Sequence, residues 1–334
     1  MASNYLTLVN NVLRDMNEVE LTSSNFTSSR GVQTTVKDYI NRSISDILNA
    51  EINWPFTRAE GSVDAIAGKQ LYSFASIAST LKYIDYDNVF LMPKDYITNG
   101  DFEIDGSASI SGWTAVSGTP AASSKFGNTM LVTSAEATQA VSDLVVGRTY
   151  TTLIQTSGST LTLEIGTSSG GSQTTSSTLT IASGNEVLFS EVTFVATATV
   201  HYVSFTESAG SPAYVKIVQL VEDVTPVPLK YISYEEYSEK YRERDSRADT
   251  DKFASPEYVY TTYNDELGLT PIPDTSSRTI TFDYYVTNTD LSAYSDTGIV
   301  PTRFESIINA RAKYYTYMFR SDVQTAQYAL KEYE

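Results

Sequence analysis

The sequence predicts an α+β host interrupted by an all-β jelly-roll or sandwich domain. The host is read as a helical bundle with two short N-terminal helices, a long C-terminal helix and a small antiparallel sheet. Three observations predict this. A helical periodicity runs from Pro301 to Glu334, the composition turns abruptly to Ser, Thr, Gly and Ala at Thr98, and the earlier character returns at Pro226-Val227-Pro228. The expected division is residues 1–96 and 224–334 for a discontinuous host and 97–223 for the guest. Insertions of this kind are tolerated where both ends of the guest lie close together on an exposed loop.

In the first host segment Leu6, Val9, Leu13 and Met16 fall at helical spacing, as do Val36, Ile40, Ile44, Ile47 and Leu48, which predicts two amphipathic helices. The second must stop before Asn53-Trp54-Pro55-Phe56, because a proline removes the helical conformation of the residue before it. Val63 and Ala65 alternate, and Leu71-Tyr72-Ser73-Phe74 and Tyr83 to Leu91 read as strands. A turn at Ala67-Gly68-Lys69 is expected to make a hairpin of the first two.

Between Ile97 and Asp223 only Lys125, Arg148 and Lys216 are basic, against eleven acidic residues. Strands are predicted at Thr129–Val132, Thr149–Gln155, Thr160–Ile165, Ser177–Ile181, Glu186–Val195, Thr199–Thr206 and Tyr214–Val221, with a hairpin turn at Ser168-Ser169-Gly170-Gly171-Ser172. Many short strands at this spacing argue a sandwich. Most guest aromatics, Phe102, Trp113, Phe126, Tyr150, Phe189, Phe194, Tyr202, Phe205 and Tyr214, sit where strand-core residues belong.

The second host segment predicts a charged helix over Ser233–Arg247, strands at Glu257–Tyr263, Leu267–Thr270 and Thr279–Val286, and then the long helix. Thr302 and Glu305 would form a capping box for that helix. Its apolar stripe thins beyond Ser321-Asp322 to Val323, Ala326, Ala329 and Leu330. Small side chains bury too little area to offset backbone ordering, at ~25 cal/mol per Å² against ~1–2 kcal/mol per residue. The last stretch is therefore expected to be poorly ordered in the free subunit and to need a partner surface, with Arg320, Tyr328, Leu330 and Tyr333 as its contact residues.

Composition excludes much chemistry. The 334 residues hold no cysteine and one histidine, His201, so thiolate sites, disulfides and histidine-based triads are not expected. A formal charge of −17 makes nucleic acid and anionic membrane poor partners, and neither a membrane span nor a secretory signal is expected. The carboxylates of Glu235, Glu236 and Glu239, and of Asp245, Asp249 and Asp251, sit among arginines and lysines and read as ion-pair networks. Arg242, Arg244 and Arg247 are candidates for pairing with a neighbouring subunit's carboxylates, since a guanidinium matches a carboxylate bidentately. No nucleophile stands with a base, so no enzyme and no cofactor are expected.

The host resembles the head-to-tail adaptor, or gatekeeper, proteins of tailed bacteriophages. The resemblance is carried by Leu6–Met16, Asn53-Trp54-Pro55-Phe56, Gly68-Lys69-Gln70-Leu71-Tyr72, Ser255-Pro256-Glu257-Tyr258, Leu269-Thr270-Pro271-Ile272-Pro273-Asp274, Phe282-Asp283-Tyr284-Tyr285 and Ile299-Val300-Pro301-Thr302-Arg303-Phe304. It implies a virion protein of the neck, assembled in the host cytoplasm into a ring of twelve copies. Its partners would be itself, the portal protein, reached through the C-terminal segment, and a tail nozzle or tail-tube protein. The guest's Asn99-Gly100-Asp101-Phe102-Glu103, with Trp113 after Gly112, resembles the start of jelly-roll carbohydrate-binding modules. That implies an outward-facing decoration binding glycan, a tail fibre or another tail protein, and a structural calcium near Asp101 and Glu103. Lys216 stands at about the position of the family's calcium-binding Asp, and an ammonium cannot coordinate Ca²⁺. A second reading is a carbohydrate-binding or adhesin-like module on an oligomeric platform; a glycosidase is a third, with no paired carboxylates at strand ends to carry it.

Overall fold

The structure, a computed structural model, describes residues 3–333 apart from 52, 104–109, 126, 180–186 and 249. Expectations for Phe126, Asp249, Ile181 and Glu186 lie outside the described residues.

Helix α1 spans Tyr5–Asp15 and is capped by Asn4, whose side chain accepts from the Thr7 N–H at 2.9 Å. Helix α2 spans Val32–Ala50. The predicted apolar positions Val9, Leu13, Met16, Val36, Ile40, Ile44, Ile47 and Leu48 are all buried, in one core with Ile308 and Ala312 from the C-terminal region.

Strands β1 (Arg58–Asp64) and β2 (Leu71–Ser73), helix α3 (Phe74–Ile77) and strand β3 (Leu81–Pro93) complete the first segment. After the guest come β14 (Val227–Pro228), β15 (Lys230–Tyr231), α4 (Tyr234–Lys240), α5 (Arg242–Asp245), β16 (Tyr258–Thr261), β17 (Glu266–Thr270) and β18 (Arg278–Val286). The host has two four-stranded sheets rather than one small one, in the orders β1-β18-β3-β14 and β15-β16-β17-β2. The β15–β16 pair is parallel, against the antiparallel expectation. Ile84, Leu91, Val259, Leu267, Leu269, Ile280 and Phe282 fill a shared core. The expected β1–β2 hairpin does not form. The chain turns at Gly68 (φ +78°), but β1 pairs with β18 and β2 with β17, so each strand finds its partner some 200 residues away.

The long C-terminal helix is two helices, α6 (Glu305–Phe319) and α7 (Val323–Tyr333), folded back on one another. Ser321 takes a left-handed conformation (φ +60°), and Asp322 restarts the helix by accepting the Thr325 N–H at 3.1 Å. Asp is a strong N-cap because its side chain satisfies a backbone donor that a helix end leaves free. Ala326 and Ala329, the small residues of the thinned stripe, are buried in this hairpin. The residue immediately before α6 is Phe304. Thr302–Phe304 is a 3₁₀ turn, and Glu305 accepts from the Ser3 N–H (2.6 Å) and hydroxyl (2.8 Å).

The guest strands are β4 (Thr114–Ser117), β5 (Ala121–Ser123), β6 (Thr129–Val132), β7 (Ala135–Val141), β8 (Thr149–Gly158), β9 (Leu161–Gly166), β10 (Thr175–Leu179), β11 (Val187–Val195), β12 (His201–Glu207) and β13 (Ala213–Glu222). They form two five-stranded antiparallel sheets, β10-β9-β12-β7-β4 and β11-β8-β13-β6-β5, around a core running from Ile97 to Leu220. The Gly170-Gly171 segment turns β9 into β10 as expected, with the Gly171 N–H donating to the Ser168 carbonyl at 3.0 Å. The two connections to the host lie side by side. Asp95 bridges to Val221, its carboxylate accepts the N–H groups of Ile97 (3.0 Å) and Leu220 (3.1 Å), and the Tyr96 N–H donates to the Leu220 carbonyl at 2.9 Å. Burial raises the Asp95 pKa, against the two backbone bonds that lower it. Among the described residues no helix is long and apolar enough to cross a membrane.

Candidate functional site

Register decides what the guest shows to solvent. Side chains alternate across a strand, so Phe189 and Phe194, five residues apart on β11, must face opposite ways. Phe194 enters the core and Phe189 lies 73% exposed, which corrects the core assignment for Phe189; the odd spacing was the signal that could have found it. Phe189 stands opposite Gln155 of β8, which stands opposite Ile217 of β13; the next row is Glu191, Leu153 and Gln219. These six side chains line a shallow groove of about 410 Å³ on the outer face of the sheet. A flat aromatic beside two amides and a carboxylate offers a stacking surface with donors and acceptors at its edge.

The described residues around Asp101 and Glu103 are held by Asn99. Asp101 is exposed, the Glu103 N–H donates to Asn99 Oδ1 at 2.8 Å, and Asn99 Nδ2 donates to the Ser111 carbonyl at 3.2 Å. Lys216 sits in the irregularity between Val215 and Ile217, and no cluster of three metal-binding side chains occurs among the described residues. Calcium takes six to eight oxygens, and the Lys216 ammonium supplies none.

Of the three arginines assigned to subunit contacts, Arg244 is held within its own chain. Its Nη2 donates to Thr270 Oγ1 at 2.7 Å and its Nε to Asp245 Oδ1 at 3.0 Å; buried Asp245 also accepts from Gln70 (2.9 Å) and Thr270 (2.8 Å). Arg247 pairs with Glu243 one turn away at 3.0 Å, and Arg242 is exposed.

The four residues assigned to the portal contact are spread over the hairpin. Arg320, in the turn, pairs with Glu18. Tyr328 is exposed, Leu330 is half-buried, and Tyr333 lies under the Arg311 guanidinium, 4.8 Å from its ring centre. Sequence reasoning missed that the turn itself is apolar, with Met318, Phe319 and Val323 all exposed there.

His201 is fully buried at the start of β12, with Nε2 3.3 Å from Thr197 Oγ1, and burial lowers its pKa. Its ring lies 5.4 Å from that of Phe194, in the sandwich interior.

Residues 177–334, just under half of the chain, match the family model described as SU10 adaptor protein. The match takes in the last strands of the sandwich and the whole second host segment, which is where much of the adaptor resemblance lies. No curated protein matches. Among solved structures, the enzymatically active domain of tailspike protein 4 of bacteriophage CBA120 is 17% identical with a TM-score of 0.31, over 38% of this chain and 21% of that one. The carbohydrate-binding module TmCBM61, solved in complex with beta-1,4-galactotriose, is 16% identical with a TM-score of 0.31, over 39% and 99%. A tandem module of Paenibacillus barcinonensis Xyn10C is 9% identical with a TM-score of 0.29, over 39% and 45%. This chain thus spans about a fifth of the tailspike domain and under half of the tandem module. Neither identity nor score in these structures bears on what this chain binds.

Proposed function

We propose that this chain is a structural subunit of a tailed-phage virion, an adaptor that assembles into a ring, of twelve copies in the resembling family, between the capsid portal and the tail. Residues 97–223 are an outward-facing domain inserted into it. The observation that carries the reading is the adaptor match over residues 177–334, which continues from the sandwich into the host's sheets and C-terminal hairpin. The reading assigns no catalysis and no cofactor, places the protein in the neck after assembly in the host cytoplasm, and gives it the portal and a tail nozzle or tail-tube protein as neighbours. Tyr328 remains its candidate for contact with the portal. Arg242 and Arg247 remain candidates between subunits. Sedimentation of the purified chain with and without portal rings tests it: a ring-sized species that co-sediments with the portal is expected, and a monomer that ignores the portal overturns it.

A second reading, that the sandwich binds a neutral glycan, is favoured by one observation, the exposed Phe189 beside Gln155 and Gln219 on an open sheet face. Sugar rings stack on aromatic faces and exchange hydrogen bonds with amides. Affinity electrophoresis in gels containing host-cell polysaccharide checks it. Retardation of the parent and release by Phe189→Ala are expected; equal mobility of the two proteins removes the reading.

A further inference from the structure

The geometry points to a head-to-tail contact between copies of this chain, in which the apolar tip of the C-terminal hairpin enters an aromatic groove at the other end of the same helical layer on the next copy. The inference rests on the ring reading above and names the surfaces that would close it.

The groove lies where α2 ends and α6 begins. Ile47, Trp54, Phe56, Phe304, Ile307 and Tyr333 line about 260 Å³ of mostly apolar space. Trp54 stacks on Phe56 at 5.3 Å, Phe56 meets Phe304 at 5.9 Å, and the Trp54 Nε1–H donates to the Ile47 carbonyl at 2.9 Å, so the rings are held in place without an occupant. The volume is below the ~300–1,000 Å³ of sites that enclose drug-sized ligands and suits a single aromatic side chain. Trp54 is also the wall of an adjoining polar pit reached by Lys82 and Asn288. Among the described residues Lys82 donates to the Leu48 carbonyl at 3.4 Å, and Asn288 Nδ2 is buried without a partner. Arg303 lies over the Phe304 ring at 4.9 Å. Neither Lys82 nor Arg303 makes an ion pair among the described residues, in a chain of net charge −17.

The tip is the complement of this. Val19 is 74% exposed and Phe319 59% exposed, with Met318 and Val323 open beside them. Glu18, Glu20 and Asp322 flank these residues in the sequence, with Glu18 tied to Arg320 and Glu20 to Arg14. An aromatic knob with the carboxylate of Asp322 beside it thus answers an aromatic groove with Arg303 at its edge and Lys82 in the adjoining pit. Aromatic anchors seated in a desolvated pocket dominate protein interfaces.

The two surfaces cannot meet within one molecule. Phe304 and Phe319 are separated by the length of α6, on the order of 22 Å at 1.5 Å per residue. A surface complementary to a different surface of an identical copy makes a heterologous contact, and such contacts close into rings or run on as filaments.

The chain has no cysteine, so a pair of introduced thiols reports the contact directly. In the variant Ala50→Cys/Val323→Cys both positions are exposed and the Phe319 anchor is kept. Oxidation at high concentration is expected to give a covalent ladder from dimer upward, while each single variant stops at a dimer. Phe319→Glu is expected to keep the thermal midpoint and to weaken assembly by about tenfold or more, ~1.4 kcal/mol. Rings of the parent that yield no ladder, or Phe319→Glu that assembles normally, overturn the contact and leave the ring reading standing. If Phe319→Glu forms rings but loses the portal, the tip's occupant is the portal and the contact is again overturned. A parent that forms no ring with or without portal takes down both.

Discussion

The ammonium of Lys313 stands 3.0 Å from the carboxylate of Glu332, nineteen residues further along the chain. It is also 3.2 Å from Asp15 of α1, so one cation ties the two C-terminal helices together and both to the N-terminal helix. The hairpin therefore packs on the helical core of the host.

Truncation after Arg320 removes buried Ala326 and Ala329, the Tyr333 ring under Arg311 and one of the two acidic partners of Lys313. A loss of ~2 kcal/mol is expected, which at ~2–4 °C per kcal/mol lowers the thermal midpoint by roughly 4–8 °C. An unchanged midpoint by calorimetry would show that α7 contributes nothing to the fold.

Gly268 is required by a ring and not by a turn. A Cβ there would lie 2.2 Å from the buried Tyr260 ring, which is itself stacked on Tyr237 at 4.0 Å. Gly268→Ala forces this stack to shift at ~1–3 kcal/mol. The urea midpoint should fall while the near-ultraviolet tyrosine signal weakens; retention of both would mean that the stack yields freely.

The sandwich should lose stability in acid in two stages. Burial depresses the His201 pKa below its unfolded value, so its contribution is complete above ~6.5 and is lost as pH falls toward the depressed folded value. For Glu207 burial pushes the pKa up, but four backbone donors, Ser134 (2.7 Å), Ala209 (2.8 Å), Gly210 (3.1 Å) and Ser211 (3.3 Å), outweigh it and hold the carboxyl low. That contribution is complete above ~4.3 and disappears as pH drops through the lowered folded pKa. His201→Phe should flatten the upper stage and Glu207→Gln the lower one. Midpoints recorded from pH 8 to 3 decide it, and a His201→Phe protein that still weakens between pH 7 and 5 contradicts the first assignment.

Residues 97–223 expressed alone are expected to unfold in one cooperative transition, and the host joined from 96 to 224 by a short Gly/Ser linker is expected to stay soluble. The core running from Ile97 to Leu220 motivates this. An excised sandwich without a transition, together with an insoluble host, would mean that the two parts fold only as one.

What could be read from sequence was the part governed by local rules. The stripe Val36, Ile40, Ile44, Ile47 and Leu48 fixes a helix face by its own spacing, and all five are buried. The β1–β2 hairpin was misread because strand partners are chosen by faces: Val63 faces Ile280, not Leu71. The interior strand Ala135–Val141 escaped notice since Ala-Glu-Ala-Thr-Gln-Ala-Val carries little β-propensity and owes its place to β4 and β12 on either side. The break at Ser321-Asp322 carries a cap residue in Asp322 but neither Gly nor Pro, the usual marks of a helix end. Phe189 was assigned to the wrong face by counting aromatics without counting parity, and with it the most exposed aromatic of the described guest residues.

The clamp of Asp95 and Tyr96 onto Leu220 and Val221 has a mechanical consequence. Tension applied along the host backbone meets a short circuit here. Load arriving through β3 can pass across the Asp95–Leu220 and Tyr96–Leu220 hydrogen bonds into β14 without traversing the strands between them. The strand that carries Phe189 lies between those two connections and is bypassed by that route.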